Sequence, residues 1–156
     1  MNSVRDLLSE FCKKFDLCRN DFSYSYLPAP HNPNPLPNGA VGIYIFEVDS
    51  VFLKVGKAGM KTKARFNSNH YTKNGGDSTL FNKILSNKEF LKRNLTDNGL
   101  KKTVNGLDID NTTEWIKENI HRHEITFLTE KKTTLDLLEV FMQYYLEPIF
   151  EGRISN

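Results

Sequence analysis

The chain has only two cysteines, no long apolar run and little net charge. Cys12 and Cys18 have no histidine or further cysteine beside them at zinc-ligand spacing. A disulfide between them requires the first helix to end early, so we expect two reduced thiols instead. No segment approaches the roughly 18–20 apolar residues of a membrane span, which predicts a protein without a membrane partner.

The net charge of +2 arises from 21 basic and 19 acidic side chains. A nucleic-acid partner would therefore have to be held by a local basic surface and not by the field of the whole protein. The N-terminal stretch MNSVRDLLSEFCKKF mixes acids and lysines with apolar residues, which is not the pattern of a signal peptide, and we expect a cytoplasmic protein. A length of 156 residues with 38% hydrophobic side chains suits one globular core.

The first part of the chain differs in composition from the rest. The spacing of apolar residues from Ser3 to Leu17 predicts an amphipathic helix with Ser3 as its N-cap. Asp21–Gly39 then contains five prolines, which exclude a helix or a central strand and predict an extended surface segment. We therefore divide the chain into an N-terminal helix with a Pro-rich segment, residues 1–38, and a main domain, residues 39–156.

Apolar runs in the main domain predict three strands. Val41–Val48 and Val51–Gly56 are rich in β-branched and aromatic residues and are separated by a polar turn, which predicts a hairpin. The alternation of His121–Leu128 predicts a third strand. On that strand His121 and His123 face the same way without a third metal ligand nearby, so we expect two surface histidines.

Helical spacing accounts for much of the remaining chain. A basic segment, Met60–Phe66, predicts a helix directly after the hairpin, and Thr133–Glu147 predicts a final helix with one buried face. Asn67–Thr79 and Thr96–Asn111 lack periodicity and are expected to be loops. The fold class predicted is therefore α+β, with a small three-stranded antiparallel sheet flanked by helices.

Three side chains around the hairpin indicate a possible ligand site. Tyr44, which we expect to be exposed, could converge with the cations Lys54 and Arg65 and would suit a phosphate. The alternative is a solvated basic helix beside an ordinary strand tyrosine. Glu139 lies at the edge of the apolar stripe of the final helix, where it is either a rigidly held metal ligand or a surface glutamate.

The order Gly42-Ile43-Tyr44, Lys54-Val55-Gly56, Arg65 and Glu139 resembles the core of the GIY-YIG nucleases. The resemblance implies that Tyr44 acts as, or relays to, the base that deprotonates the attacking water. It implies that Arg65 neutralises the scissile phosphate and that Glu139 binds Mg²⁺, with Mn²⁺ as an alternative. The implied activity is hydrolysis of DNA to 5′-phosphate and 3′-hydroxyl ends.

The sequence departs from the family pattern at two positions. Lys54 stands where the family has the first tyrosine of its second tripeptide, which resembles the restriction-endonuclease branch; we expect it to polarise the water, lower the pKa of Tyr44 or contact a phosphate. Glu151 stands three residues after Pro148, where the family commonly has an asparagine. His70 lies one residue beyond the place of a histidine found in many relatives and is assigned to the site as an auxiliary base or phosphate contact.

Four neighbours of these residues complete the predicted site as contacts to the substrate; they are Lys57, Lys63, Asn69 and Tyr71. Because no separate DNA-reading motif is evident, we expect specificity to come from the loops 67–79 and 94–111 or from a second subunit of a homodimer. Two alternatives remain open. One is a non-catalytic nucleic-acid-binding module of the same fold, and the other is an RNase in a defence or toxin system.

Overall fold

A computed structural model describes residues 3–129 and 131–151 of the chain. These residues form an α+β structure with one four-stranded antiparallel sheet. The strands are β1 (Phe22–Leu27), β2 (Ala40–Val48), β3 (Val51–Ala58) and β4 (His121–Leu128). The helices are α1 (Val4–Lys14), α2 (Lys63–Asn67), α3 (Leu80–Ser86), α4 (Lys88–Asn94), α5 (Asn98–Asn105), α6 (Thr112–Asn119) and α7 (Lys132–Leu146). Short 3₁₀ turns lie at Arg19–Asp21, Asn69–Tyr71 and Lys73–Gly75.

The prediction of three strands is wrong, because β1 adds a fourth at the edge of the sheet. The strand order is β1-β4-β2-β3, and β1 pairs with β4 from Phe22 opposite Phe127 to Leu27 opposite Arg122. The sequence of β1, FSYSYL, ends just before the first proline at position 28, so every residue in it keeps the N–H that a sheet needs. The strand was not predicted because the prolines that follow it led us to assign all of Asp21–Gly39 to an extended surface segment.

The β2–β3 hairpin is confirmed, and its register sets the geometry of the candidate site. Tyr44 lies opposite Gly56, and Phe46 lies opposite Lys54. The two turn residues, Asp49 and Ser50, have φ angles of 52° and 61°. Positive φ at both positions is the tight hairpin turn whose twist matches that of the flanking strands.

The sheet separates two hydrophobic clusters, because successive side chains of β2 point to opposite faces. Val41, Ile43 and Ile45 pack with residues of α1 and α7 on one face. Tyr44 and Phe46 pack with residues of α2 to α6 on the other face. The final helix was predicted at Thr133–Glu147 and is observed within one residue of those bounds.

The N-terminal segment shares these cores with the main domain. Helix α1 begins at the predicted cap, Ser3, in a capping box with Asp6, and its apolar stripe packs in the cluster that contains α7. The Pro-rich segment is held by backbone N–H groups: His31 donates to the Lys117 carbonyl at 2.9 Å and Leu36 to Asn67 Oδ1 at 2.9 Å. Residues 152–156 of the predicted main domain lie outside the described residues.

Thr96–Asn111 contains helix α5 and is not the loop that was predicted. Asp97 is its N-cap, and its side chain accepts from the Leu100 N–H at 2.7 Å. Cys12 is buried and Cys18 exposed, and both are free thiols, as expected. None of the helices within residues 3–129 and 131–151 has the length and apolarity needed to cross a bilayer.

Candidate active site

The side chain of Tyr44 lies across strand β3 at Gly56. A Cβ atom added to Gly56 would lie 2.4 Å from the Tyr44 phenol oxygen, so only glycine leaves room for the ring. Tyr44 is 1% exposed, and the prediction of an exposed tyrosine is therefore wrong. Burial raises the pKa of Tyr44 to about 12, although Arg65 acts in the opposite direction; Glu139 raises the pKa further. The phenol keeps its proton at neutral pH.

Lys54 is a buried cation on β3. Lys54 is 4% exposed. Burial lowers the pKa of Lys54 to about 8, and the charges of Arg65 and Lys83 act in the same direction. The Glu151 carboxylate forms an ion pair with its ammonium group. Because a buried ammonium is costly without a partner, Glu151 makes the position tolerable for lysine.

The segment that carries Glu151 is attached to the free edge of β3. Ile149 donates its N–H to the Phe52 carbonyl at 2.9 Å, and Phe150 donates to the Leu53 carbonyl at 3.0 Å. These two bonds attach the turn that follows α7, which ends at Leu146, to β3. Glu151 is therefore held at the strand that carries Lys54.

Arg65 supplies the exposed charge of the cluster. It lies on α2, which is shorter than the predicted Met60–Phe66 helix and begins only at Lys63. One of its guanidinium nitrogens donates to Ser78 Oγ at 3.2 Å. Its charge lowers the pKa of both Tyr44 and Lys54, so the three groups lie within electrostatic reach of one another.

Glu139 and Asp136 lie one turn apart on α7 and share a lysine. Lys57 Nζ is 2.7 Å from Glu139 Oε2 and 2.9 Å from Asp136 Oδ1. Burial disfavours the ammonium, but the two carboxylates outweigh it and raise the pKa of Lys57. Lys57 was predicted to contact substrate; here it neutralises the carboxylate that was predicted to hold a metal.

The donor set around Glu139 fits a magnesium ion only if solvent and substrate complete the coordination. No group of three or more histidine, cysteine or carboxylate side chains lies together in the described parts of the chain. Mg²⁺ is usually bound by one or two carboxylates with water and substrate phosphate oxygens as the other ligands. Glu139 and Asp136 are two such carboxylates one helical turn apart, and both are paired with Lys57.

Two of the predicted site residues are placed in the interior. His70 is 1% exposed, and its Nδ1 accepts the Leu80 N–H at 3.0 Å, so the neutral ring carries its proton on Nε2. Burial lowers the pKa of His70 to about 2. Tyr71 is 4% exposed, and its hydroxyl shares hydrogen bonds with His31 at 2.8 Å and Arg122 at 3.1 Å. This placement favours structural roles for both and leaves neither side chain at the surface for a substrate.

The two remaining predicted contacts lie nearer the surface. Lys63 Nζ donates to Asn38 Oδ1 at 2.7 Å, which ties α2 to the turn before β2. Asn69 is half-buried in the 3₁₀ turn after α2, and its carbonyl lies against Gly75. A Cβ at Gly75 would lie 2.0 Å from that carbonyl oxygen, so the segment after Arg65 is closely packed and is not an open loop.

Sequence reasoning missed a buried arginine beneath the tyrosine. Arg122 is 0% exposed, donates to Glu124 Oε1 at 2.8 Å and to the Phe66 carbonyl at 2.6 Å, and lies 5.8 Å from the centre of the Tyr44 ring. The alternation Arg122, Glu124 on a central strand was the available signal, since opposite charges two residues apart on a strand share a face. The expectation of two surface histidines beside it is wrong for His123, which is 7% exposed.

His123 is buried because both of its ring nitrogens have partners. Nδ1 is hydrogen bonded to the Tyr24 hydroxyl at 2.9 Å, and Nε2 to Glu47 Oε2 at 2.9 Å. Tyr24 lies on β1, the strand that was not predicted, so the burial of His123 could not follow from its own segment.

Comparisons of the chain with protein-family models, with curated proteins and with solved structures gave no match. The GIY-YIG resemblance therefore rests on the residues of this chain alone.

Proposed function

We propose that the protein is a metal-dependent endonuclease that hydrolyses DNA phosphodiester bonds. The observation that carries the proposal is geometric: the Tyr44 ring lies across β3 at Gly56, two residues from Lys54 and one from Lys57, whose Nζ is 2.7 Å from Glu139 Oε2. In agreement with this placement, Arg65 and Glu139 each shift the pKa of both Tyr44 and Lys54. These four side chains come from β2, β3, α2 and α7. A cluster of two cations, a carboxylate and a phenol from four elements, in which the pKa values of Tyr44 and Lys54 are shifted, is typical of a catalytic site.

Arg65 is the group placed to meet a phosphate. It is exposed, and its planar guanidinium can donate two parallel hydrogen bonds to phosphate oxygens. Glu139, 17% exposed on its side chain and held by a packed helix, would bind Mg²⁺ or Mn²⁺. When bound, such an ion neutralises charge that develops on the leaving oxygen.

Tyr44 would serve to orient the water or relay its proton. With a pKa of about 12, the phenol is protonated at neutral pH and can accept a proton only as it passes its own onward. Neutralisation of the Glu139 carboxylate would remove one of the causes that raise this pKa. Lys54, whose pKa is lowered to about 8, has a neutral amine fraction at physiological pH that can accept a proton.

The test is cleavage of supercoiled plasmid with and without Mg²⁺ by wild type and Glu139→Gln. The matched control is Glu118→Gln, an exposed glutamate on α6 that loses the same charge. We expect metal-dependent cutting by wild type and control, a loss of at least a hundredfold in Glu139→Gln, and 5′-phosphate ends on the products. Equal cutting by all three proteins, or cutting without a divalent ion, would refute the assignment of Glu139.

A second candidate is a nucleic-acid-binding module without catalysis. The ion pairs Lys57–Glu139 and Lys54–Glu151 favour it, because they occupy the carboxylate and the lysine that chemistry would need. Retardation of plasmid by wild type without any cutting would select this function. Cutting of structured RNA but not of plasmid would select the RNase.

A homodimer belongs to the same proposal. Two copies related by a two-fold axis match the symmetry of a palindromic site and would cut both strands. Sedimentation of the protein with and without a DNA duplex measures this directly.

A further inference from the structure

A cavity of about 540 Å³ lies beside the candidate site, between the end of β3, helix α2 and the start of α7. Its walls combine apolar side chains with cations. The apolar residues are Val41, Met60 and Leu135, and the cations outside the carboxylate pairs are Lys61, Arg65 and Lys132. Ligand pockets of proteins usually measure about 300–1,000 Å³, so this cavity is large enough for a nucleotide.

The charges of the cavity favour an anion. Lys57 also lines it, but its charge is offset by Glu139 and by Asp136, the carboxylate in the cavity wall. Among the described residues that line the cavity, Lys61 and Lys132 then give the rim a net positive charge. A negatively charged ligand is therefore attracted to the rim.

The apolar wall of the cavity favours the binding of a flat aromatic ring. Val41 and Leu135 are 6% and 5% exposed and form a fixed surface, whereas Met60 is 56% exposed and projects from the loop before α2. A methionine thioether is polarisable and adapts to the face of an aromatic ring. A base is the part of a nucleic acid that matches such a wall.

We propose that this cavity binds one unstacked nucleotide of the substrate strand, next to the phosphate at Arg65. Its base lies against Met60, Val41 and Leu135, and its phosphates are held by Lys61 and Lys132. The inference rests on the proposed function, because Arg65 belongs to both sites. Unstacking a base from a duplex is costly and is least costly for a base that is already unpaired. The preferred substrate class is therefore DNA with an unpaired nucleotide at the cut position, such as a flap, a bulge or a mismatch.

The experiment measures binding to three oligonucleotide forms that carry 2-aminopurine at one position: fully paired, with that base unpaired in a duplex, and single-stranded. Glu139→Gln is used at one salt concentration, so that cleavage does not interfere. We expect at least tenfold tighter binding of the forms with an unpaired base, and a change in 2-aminopurine fluorescence. Equal affinity for the paired and unpaired forms would refute the cavity as a nucleotide site.

Two variants, both made in the Glu139→Gln background, distinguish the contribution of the base to binding from that of its phosphates. Met60→Ala removes an exposed side chain and should reduce the preference for unpaired DNA by about fivefold. Lys61→Gln with Lys132→Gln should weaken binding to all forms and reduce the salt slope by about two. The control, Lys13→Gln with Lys102→Gln, removes the same charge from α1 and α5 and should change neither quantity.

The outcomes distinguish this inference from the proposed function. Preference for unpaired DNA, lost in Met60→Ala, supports the cavity even if wild type never cuts plasmid. Cutting that depends on Glu139 but shows no preference supports the nuclease and refutes the cavity. Unchanged binding in Met60→Ala and in the Lys61, Lys132 variant also refutes it. Failure to bind any DNA overturns both.

Discussion

Removal of the Arg122 guanidinium tests how much the buried arginine next to Tyr44 contributes to the stability of the fold. Arg122 has no exposed surface, donates to Glu124, Tyr71 and the Phe66 carbonyl, and lies 4.8 Å from the centre of the Phe66 ring. Arg122→Met keeps a long apolar side chain but leaves the 3% exposed Glu124 without its counter-charge. The loss therefore comes from an unpaired buried charge and not from a cavity.

The expected cost is about 3–5 kcal/mol, which is the range for breaking one side of a buried ion pair. In a protein of 156 residues, each kcal/mol corresponds to roughly 2–4 °C in Tm, so Tm should fall by roughly 6–20 °C. Urea unfolding followed by the fluorescence of Trp115, the one tryptophan and 6% exposed, measures the free energy directly. Glu89→Gln is the control, because Glu89 is 73% exposed and its solvent-screened ion pair with Lys92 should contribute little to the free energy of unfolding.

A double variant sharpens the argument. Arg122→Met with Glu124→Gln removes both charges of this buried pair, and the glutamine can still accept from Asn34, whose side chain donates to Glu124 at 2.9 Å. It should be more stable than Arg122→Met alone. A single variant that loses less than about 1 kcal/mol, or a double variant whose losses simply add, would show that the pair is not what stabilises this region.

Three further predictions probe the site by other routes. Gly56→Ala should cost about 1–3 kcal/mol in urea unfolding and displace Tyr44, since its Cβ would lie 2.4 Å from the phenol oxygen. Burial lowers the pKa of His31 to about 4 and of His70 to about 2, so below pH 6.5 the unfolded chain gains protons that the folded chain excludes. Near pH 5 the free energy of unfolding should fall by about 2.5 kcal/mol for each unit by which the pH is lowered, and His70→Asn should halve this slope. Because the pKa of Lys54 is lowered to about 8, the unfolded chain holds a proton above pH 8 that the folded chain releases. The free energy of unfolding of wild type should therefore rise between pH 8 and 9.5, relative to that of Lys54→Met.

The elements that sequence reasoning located best are those whose signal is local. The β2–β3 hairpin follows from two apolar runs around a polar turn, and α7 follows from helical spacing over four turns. Helix α5 was missed because Asn98-Gly99 and Asn105-Gly106 were interpreted as turns within a loop. In the structure these dipeptides mark the two ends of a short helix.

The features that escaped prediction depend on partners far along the chain. Arg122 is buried only because Glu124, Tyr71 and the Phe66 carbonyl satisfy it together, and Phe66 lies far along the chain on helix α2. The ion pair of Glu139 with Lys57 joins α7 to β3 in the same way. A strand or helix pattern predicts which residues face the core, but it does not predict which polar groups meet there.

The two positions at which the sequence departs from the GIY-YIG pattern that it resembles contact each other. Lys54 and Glu151 form an ion pair. One positive and one negative charge together add no net charge to the site. The attachment of Ile149 and Phe150 to β3 brings Glu151 to Lys54. A lysine at this position, 4% exposed, would carry an uncompensated charge without that carboxylate, so the burial of Lys54 as a cation depends on Glu151.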